Sequence, residues 1–543
     1  MPAKSKKAKK VAPPSQQRAA FRLTYATMFD PPEALHRSYD RALARVKSDL
    51  GREYPLLIGG EERKAAATFE DRSPINTDWV LGRFQKGGVE DARAAIAAAR
   101  AAFPAWSALP WQRRVKHLRA AAALIGRRAF EFAALDSLEV GKNRMEALAD
   151  VQETADLISY YCDEMERHHG FVTAMGRDPL KGYASSNTDL LRPVGVWVVI
   201  SPWNFPVALS GGPSGAALLA GNTLVFKPAT DTPWVGYFLA RCFLDAGLPR
   251  GVYNFVTGPG STMGEELITN PGVDGITFTG SFDVGMHIYK TFASGKWPRP
   301  CITEMGGKNA TIVSRHADLD EAALGCYRSA FGLQGQKCSA TSRIFVERPV
   351  KDQFVERMLA LLERTNIGDP TARANWMGPV ANAAGAKSYE NYCAELRQAG
   401  TILFGGRRLT QGELAKGYYC APTLVDNVPE SHRLWGEEMF LPIVMIAAVD
   451  SLDDAMRRAN DVSYGLTAGF YGGTKEAAWF FEHIEAGTCY ANRPQGATTG
   501  AWPGLQPFGG WKGSGSSGKS AGGMYYLPQF MKEQSRTLIS RKR

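Results

Sequence analysis

The chain has 543 residues, 44% of them hydrophobic and 22% charged, which is enough to build two or three buried cores and excludes a fibrous or disordered protein. Its net charge of +10 suggests a nucleic-acid partner only until the charges are located, because nine lie at the ends (Lys4, Lys6, Lys7, Lys9, Lys10, Arg18, Arg541, Lys542 and Arg543) and the body is near neutral. The longest apolar runs, such as "VGVWVVI" at 194–200, are strand-length and far short of the ~20 residues of a membrane helix, so neither nucleic acid nor membrane is an expected partner.

Residues 1–20 are rich in Lys, Ala, Ser and Pro, with almost nothing to bury, and read as a disordered basic arm. Pro13-Pro14 and the preference for lysine over arginine argue against a mitochondrial transit peptide. The eight cysteines are scattered without a CxxC pair, as in reduced thiols of a cytoplasmic protein with no metal site.

Residues 88–170 carry apolar positions at helical spacing. Short β-branched runs follow at "VGVWVVI", "GNTLVFK", "GVYNFV" and "GITFTG", separated by helical segments that end at Gly or Pro. That alternation predicts a parallel, doubly wound α/β sheet. A second alternation, from "KNATIV" through "SRIFVE" to "SYGLTAGFY", predicts a second α/β domain. Residues 495–523 are dense in Gly, Ser and Pro but contain Trp502, Phe508 and Trp511, so they read as an ordered loop.

Ligands bind such sheets at the carboxyl ends of the strands. In "ISPWNFP" (200–206) the chain leaves a strand there, and Asn204 could aim its amide at a developing oxyanion or close an Asx-turn. "FKPATD" puts Lys227 at the same kind of edge, where it could meet a ribose or phosphate or stay solvated. "TGPGSTMG" is GxGxxxG and not the GxGxxG dinucleotide fingerprint, a weak signal by itself. "FTGSFDVG" places Thr279, Gly280 and Ser281 at a helix start, which suits a phosphate or an ordinary cap. "CITEMGGKN" offers Glu304 at a strand end, and "GLQGQKCSATSR" offers Cys338 34 residues later. A thiol, a carboxylate, an amide donor and a dinucleotide together point to thiolate attack on an aldehyde, hydride loss and hydrolysis of a thioester.

The motifs "PWNFP", "FKPA", "FTGS", "EMGGKN", "GQKCSA" and "PFGG", in that order, resemble the NAD(P)-dependent aldehyde dehydrogenase superfamily over roughly residues 50–530. "YPLLIGGEE", "VGKNRMEALADVQETADLISYY" and "TTGAWPGLQPFGG" resemble the branch that oxidises L-glutamate γ-semialdehyde; the alternative is a member acting on another aliphatic or aromatic aldehyde. The resemblance implies Cys338 as nucleophile, Glu304 as general base, and Asn204 with the Cys338 N–H as oxyanion donors. For NAD it implies contacts from Ile200, Ser201, Pro202, Trp203, Lys227, Thr230, Gly260, Gly264, Gly280, Ser281, Val284, Met305, Gly306, Glu438 and Phe440. For the substrate it implies Ser339, Gly500 and Ala501 on the α-carboxylate, Phe508 on the chain, and Asp150 near the amino group.

Two departures matter. Thr230 stands where many NAD-preferring members carry Glu, which leaves room for NADP, and Leu441 replaces the usual Gly after Phe440, adding bulk beside the ribose site. The implied architecture is a Rossmann-like cofactor domain (45–172 and 195–305), a catalytic α/β domain (306–500), an anchor loop (495–523) and a β-flap (173–194 and 524–543). The flap is too small to bury its own face, so a homodimer or larger assembly is expected.

Overall fold

The computed structural model describes residues 21–29 and 31–542; the basic arm lies outside them. The first seven-stranded sheet runs, in spatial order, Cys301–Glu304, Gly275–Thr279, Val196–Ile200, Thr223–Lys227, Tyr253–Phe255, then the hairpin Leu56–Ile58 and Glu61–Arg63. The first five are parallel. Their side chains alternate between two cores: Trp197, Val199, Leu224 and Phe226 enter one, and Val196, Val198 and Val225 the other. A strand apolar at every position is thus buried on both faces, as a helix-covered parallel sheet requires.

The second seven-stranded sheet runs Thr401–Phe404, Thr423–Asp426, Ile443–Val449, Thr341–Glu347, Asn309–Val313, Thr467–Tyr471 and Thr488–Ala491, parallel except at the first strand. Only Met305–Lys308 separate the strand Cys301–Glu304 from the strand Asn309–Val313. The carboxyl edge of the first sheet therefore meets the amino edge of the second, and the site lies at that junction.

A three-stranded antiparallel sheet joins Met531–Arg541, Tyr183–Pro193 and Val172–Ala174, with the two long strands in register from Met531 opposite Pro193 to Arg541 opposite Tyr183. Val172, Tyr183, Leu538 and Ile539 on it are exposed.

The helical region is four helices, Val89–Ala108, Trp111–Arg127, Ala129–Val140 and Arg144–Arg167. The last is capped by Asn143, whose side-chain oxygen accepts from the N–H groups of Met145 and Glu146. Residues 21–29 lie against it: Arg22 pairs with Asp156 at 3.2 Å and the Tyr25 hydroxyl donates to Glu153 at 2.6 Å.

Candidate active site

Strand register places the expected groups along one edge. Ile200 sits opposite both Lys227 and Phe278, and Thr279 opposite Glu304, so the chain segments carrying Asn204, Lys227, Ser281 and Glu304 leave the sheet side by side. Cys338 comes from the other sheet, three residues before the strand Thr341–Glu347.

The loop that presents Cys338 is held from several sides. Leu333, Gln334 and Gly335 all have positive φ (48°, 55° and 67°), which turns the chain sharply ahead of the cysteine. The Asn309 amide donates to the carbonyls of Cys338 (2.7 Å) and Ala340 (2.9 Å). Gly307 fits beneath it because a Cβ there would come within 2.5 Å of the Cys338 carbonyl. Asn204 is buried and donates one amide N–H to the Gln336 carbonyl at 3.0 Å, which ties the first sheet's loop to the nucleophile's loop and leaves the second N–H of the amide. Asn204 is therefore no Asx-turn residue.

Cys338 is half-buried, and its own N–H and that of Ser339 point at the sulfur. The protein by itself does not favour the thiolate. Burial first, then the nearby carboxylates Glu438 and Glu304, push the thiol up to about 12, and the two amides do not offset them. Glu304 is itself pushed up to about 8 by burial, and its Oε2 has no hydrogen-bond partner among the described residues. Glu438 accepts from the Gly307 N–H at 2.8 Å and is raised to about 7, again by burial. A Cβ at Gly306 would collide with the Glu438 carboxylate, so that glycine is required for the approach.

The edge of the first sheet fits a dinucleotide. Lys227 is 5% exposed, its ammonium donates only to the Pro228 carbonyl (3.2 Å) among the described residues, and burial lowers its pKa to about 8, the state of a cation awaiting an electron-rich partner. The Ser201 hydroxyl is buried without a partner among the described residues. A Cβ on Gly260 would meet nothing within 4 Å, and one on Gly264 would reach the Lys227 side chain at 4.0 Å, which leaves an open shelf beside the lysine. Ser281 precedes the 12-residue helix Phe282–Ala293, with its side chain unused as a cap and Val284 exposed one turn on. Gly280 donates to the Glu304 carbonyl (3.1 Å), and Met305 packs against Gly285. Trp203 meets Phe440 edge-on at 5.5 Å, Phe440 having a positive φ of 56°. Thr230 is exposed, while Ile200 and Pro202 are half-buried. Leu441 does not crowd this site: it is buried in the second sheet's core, with Gly385 beneath it.

Beyond Cys338 lies a pocket lined by Ser339, Gly500, Ala501 and Phe508, together with Tyr25, Met28, Phe29, Glu153, Phe205, Leu209, Arg328, Lys337, Gln495 and Thr499. Gly500 has φ +116°, and a Cβ there would strike the Arg493 guanidinium, which donates to the Gly500 carbonyl at 2.8 Å. The Ser339 carbonyl accepts from Thr498 at 2.5 Å.

Asp150 is corrected. Its carboxylate accepts from Lys142 (2.7 Å) and from the Ala208 N–H (2.8 Å) in the fully buried Asp136–Lys142–Asp150 cluster, and it does not line the pocket. Glu153, three residues further along the same helix, stands on the pocket wall instead. Trp502 does not line the pocket either: it is buried and donates to Asp156 at 2.9 Å. Tyr25, Phe29 and Arg328 carry no local motif; the packing of the N-terminal segment brings the first two to the site, and Arg328 reaches it from the helix Leu319–Phe331.

A two-sheet α/β enzyme with a buried carboxylate beside a cysteine, facing a dinucleotide-sized edge, is an oxidoreductase of the aldehyde class. Residues 61–535 match the Aldehyde dehydrogenase family, and the chain belongs to that family. It is 38% identical over 500 residues to 1-pyrroline-5-carboxylate dehydrogenase of Geobacillus thermodenitrificans, covering 91% of this chain and 95% of that one. Among solved structures, the 1-pyrroline-5-carboxylate dehydrogenase from Thermus with bound NAD superposes with a TM-score of 0.89 at 37% identity, over 98% of this chain and 100% of that one. Betaine aldehyde dehydrogenase from Staphylococcus aureus in complex with NAD+ gives 0.84 at 28% identity, over 93% and 97%. No helix among the described residues is long and apolar enough to cross a membrane.

Proposed function

We propose that the protein oxidises L-glutamate γ-semialdehyde to L-glutamate with NAD as acceptor. The observation that carries this reading is the pocket beyond Cys338, where backbone at Gly500 and Ala501, the Glu153 carboxylate and the apolar faces of Phe205 and Phe508 surround one space. A substrate with a carboxylate, an ammonium and an aliphatic stem uses all three; a simple aldehyde uses only the last. The likeness to relatives named for 1-pyrroline-5-carboxylate supports the same choice.

The thiol proton leaves Cys338 for Glu304, and this transfer removes one of the two negative charges that oppose the thiolate. The sulfur then adds to the aldehyde carbon, and the carbonyl π pair moves onto oxygen, where the Asn204 amide and the Cys338 N–H hold it. Losing one such donor typically costs about 10²- to 10³-fold in rate. Lys227, Ser201, Ser281 and the Gly260–Gly264 turn would hold a dinucleotide, which would supply the acceptor for the hydride that leaves as the oxyanion collapses. Glu304 passes the thiol proton on to solvent and is ionised again; it then accepts a proton from the water that attacks the thioester left on Cys338, and the C–S bond breaks to return the thiolate and free the acid, which ionises to the carboxylate.

Steady-state formation of reduced dinucleotide with L-glutamate γ-semialdehyde, succinic semialdehyde, propanal and benzaldehyde tests the substrate. A lead of tenfold or more in kcat/KM for the first is the expected result, and a lead for any other sinks the reading. With Thr230 exposed and uncharged, a carboxylate there should repel a 2′-phosphate. Thr230→Glu is therefore expected to cut kcat/KM with NADP by about tenfold or more while changing NAD use little, one pK-sized electrostatic effect being about a factor of ten. The exposed apolar residues of the flap find their cover in a second copy of the chain. Light scattering should give at least twice 59.2 kDa, and Leu538→Asp should lower that mass.

A further inference from the structure

We infer that the N-terminal segment, residues 21–29, is a specificity element of the substrate pocket: Tyr25 positions the Glu153 carboxylate, and Phe29 positions the Arg328 guanidinium, as a matched pair of receptors for a zwitterion. This inference rests on the substrate reading above and adds to it the part of the chain that sets discrimination.

All four residues line the pocket that contains Cys338. The Tyr25 hydroxyl donates to Glu153 Oε2 at 2.6 Å, and its ring is fixed edge-on against Phe205 (6.3 Å) and Trp502 (5.3 Å). Trp502 is in turn tied to Asp156, which also holds Arg22. One Glu153 oxygen is thereby pinned, and the other remains for an ammonium. The Arg328 guanidinium lies 3.6 Å from the centre of the Phe29 ring. It forms no ion pair among the described residues, and its only hydrogen bond there is a long one of 3.5 Å to the Pro494 carbonyl. Half-buried, with no anionic partner among the described residues, stacked on an aromatic and facing the pocket, Arg328 is suited to draw in the carboxylate that the backbone at Gly500 and Ala501 holds. Lys337, the pocket's other cation, is already paired with Glu146 at 3.1 Å, so it does not compete for that role.

Glu153 must be ionised to hold an ammonium. Burial raises its pKa to about 8, with Asp150 and Asp156 of its own helix adding to the rise. The Tyr25 hydroxyl opposes that rise most, and Lys142 opposes it less; Tyr161 and Tyr490 also face the carboxylate. Removing the Tyr25 hydroxyl therefore leaves more of Glu153 protonated near neutral pH, and the loss should shrink as pH rises above about 8.

The test compares wild type, Tyr25→Phe, Phe29→Leu and Arg328→Gln, all in the full chain, on L-glutamate γ-semialdehyde, glutaric semialdehyde (carboxylate without ammonium) and propanal (neither). For Tyr25→Phe, the KM for L-glutamate γ-semialdehyde is expected to rise about tenfold with kcat little changed, the size of one hydrogen bond to a charged group. The other two substrates should be unaffected, and the penalty should decline with increasing pH. Arg328→Gln, and more weakly Phe29→Leu, should raise KM for both carboxylate-bearing aldehydes and spare propanal. Equal losses on all three substrates, or unchanged KM values, overturn the inference while leaving the substrate reading intact. A wild type that does not favour L-glutamate γ-semialdehyde overturns both.

Discussion

Cys338→Ala should form no reduced dinucleotide above background with any aldehyde, a loss of more than about 10⁴-fold, because no other group on the pocket wall can make and break the covalent bond. The remaining seven cysteines do not substitute: five are fully buried elsewhere in the fold, and Cys301 and Cys489 lie on other strands, outside the pocket. Binding of NAD, followed by quenching of protein fluorescence, should stay within about twofold of wild type, since Cys338 is not among the expected dinucleotide contacts; at an unchanged Kd the binding energy is unaltered. Alkylation offers a second check in the unliganded protein. With the thiol pushed up to about 12, modification at position 338 should be slow near neutral pH and should accelerate steadily as the pH is raised. Residual turnover in Cys338→Ala, or rapid alkylation at neutral pH without cofactor, would refute the assignment or its electrostatics respectively.

Glu304→Gln should separate the two halves of the reaction. Acylation can proceed once the thiol proton finds another acceptor, so one equivalent of reduced dinucleotide should appear as a burst. The following steady state should then fall by about 10²- to 10⁴-fold, because water attacks the thioester without a general base. The pH dependence has a definite sign. Glu304 acts as a base only when ionised, and burial places its midpoint at about 8 rather than in the ordinary carboxylate range. Wild-type kcat should therefore rise with pH on a limb centred near 8, and the glutamine variant should lack that limb. A variant with neither burst nor turnover would place Glu304 in the first step alone, and one with wild-type turnover would remove it from the chemistry.

Much of the site was legible because its residues sit next to strand ends. "VGVWVVI" running into "SPWNFP" and "CITE" running into "MGGKN" announce where the chain leaves a parallel sheet, and that edge holds ligands whatever the details of the fold. The choice between Asp150 and Glu153 was not legible. Both lie on one helix at a spacing that puts them on neighbouring faces, and only the buried Lys142 and the start of the helix Ala208–Ala220 decide which of them is consumed internally. The direction of the Cys338 shift was equally hidden, since it depends on how deeply Glu304 and Glu438 are packed around the sulfur.

What the amino-acid order determined by itself was the sequence of strands and helices, the doubly wound sheets they imply, and the candidates for nucleophile, base and amide donor, because periodicity and local motifs act over a few residues. The tertiary structure alone decided that residues 21–29 reach the pocket more than 300 positions before Cys338, that Leu441 turns into the core, and that Arg328 faces the site with no ion pair among the described residues. These are long-range packing outcomes. They depend on which buried surfaces meet and which charges find partners, and no local pattern in the chain encodes either.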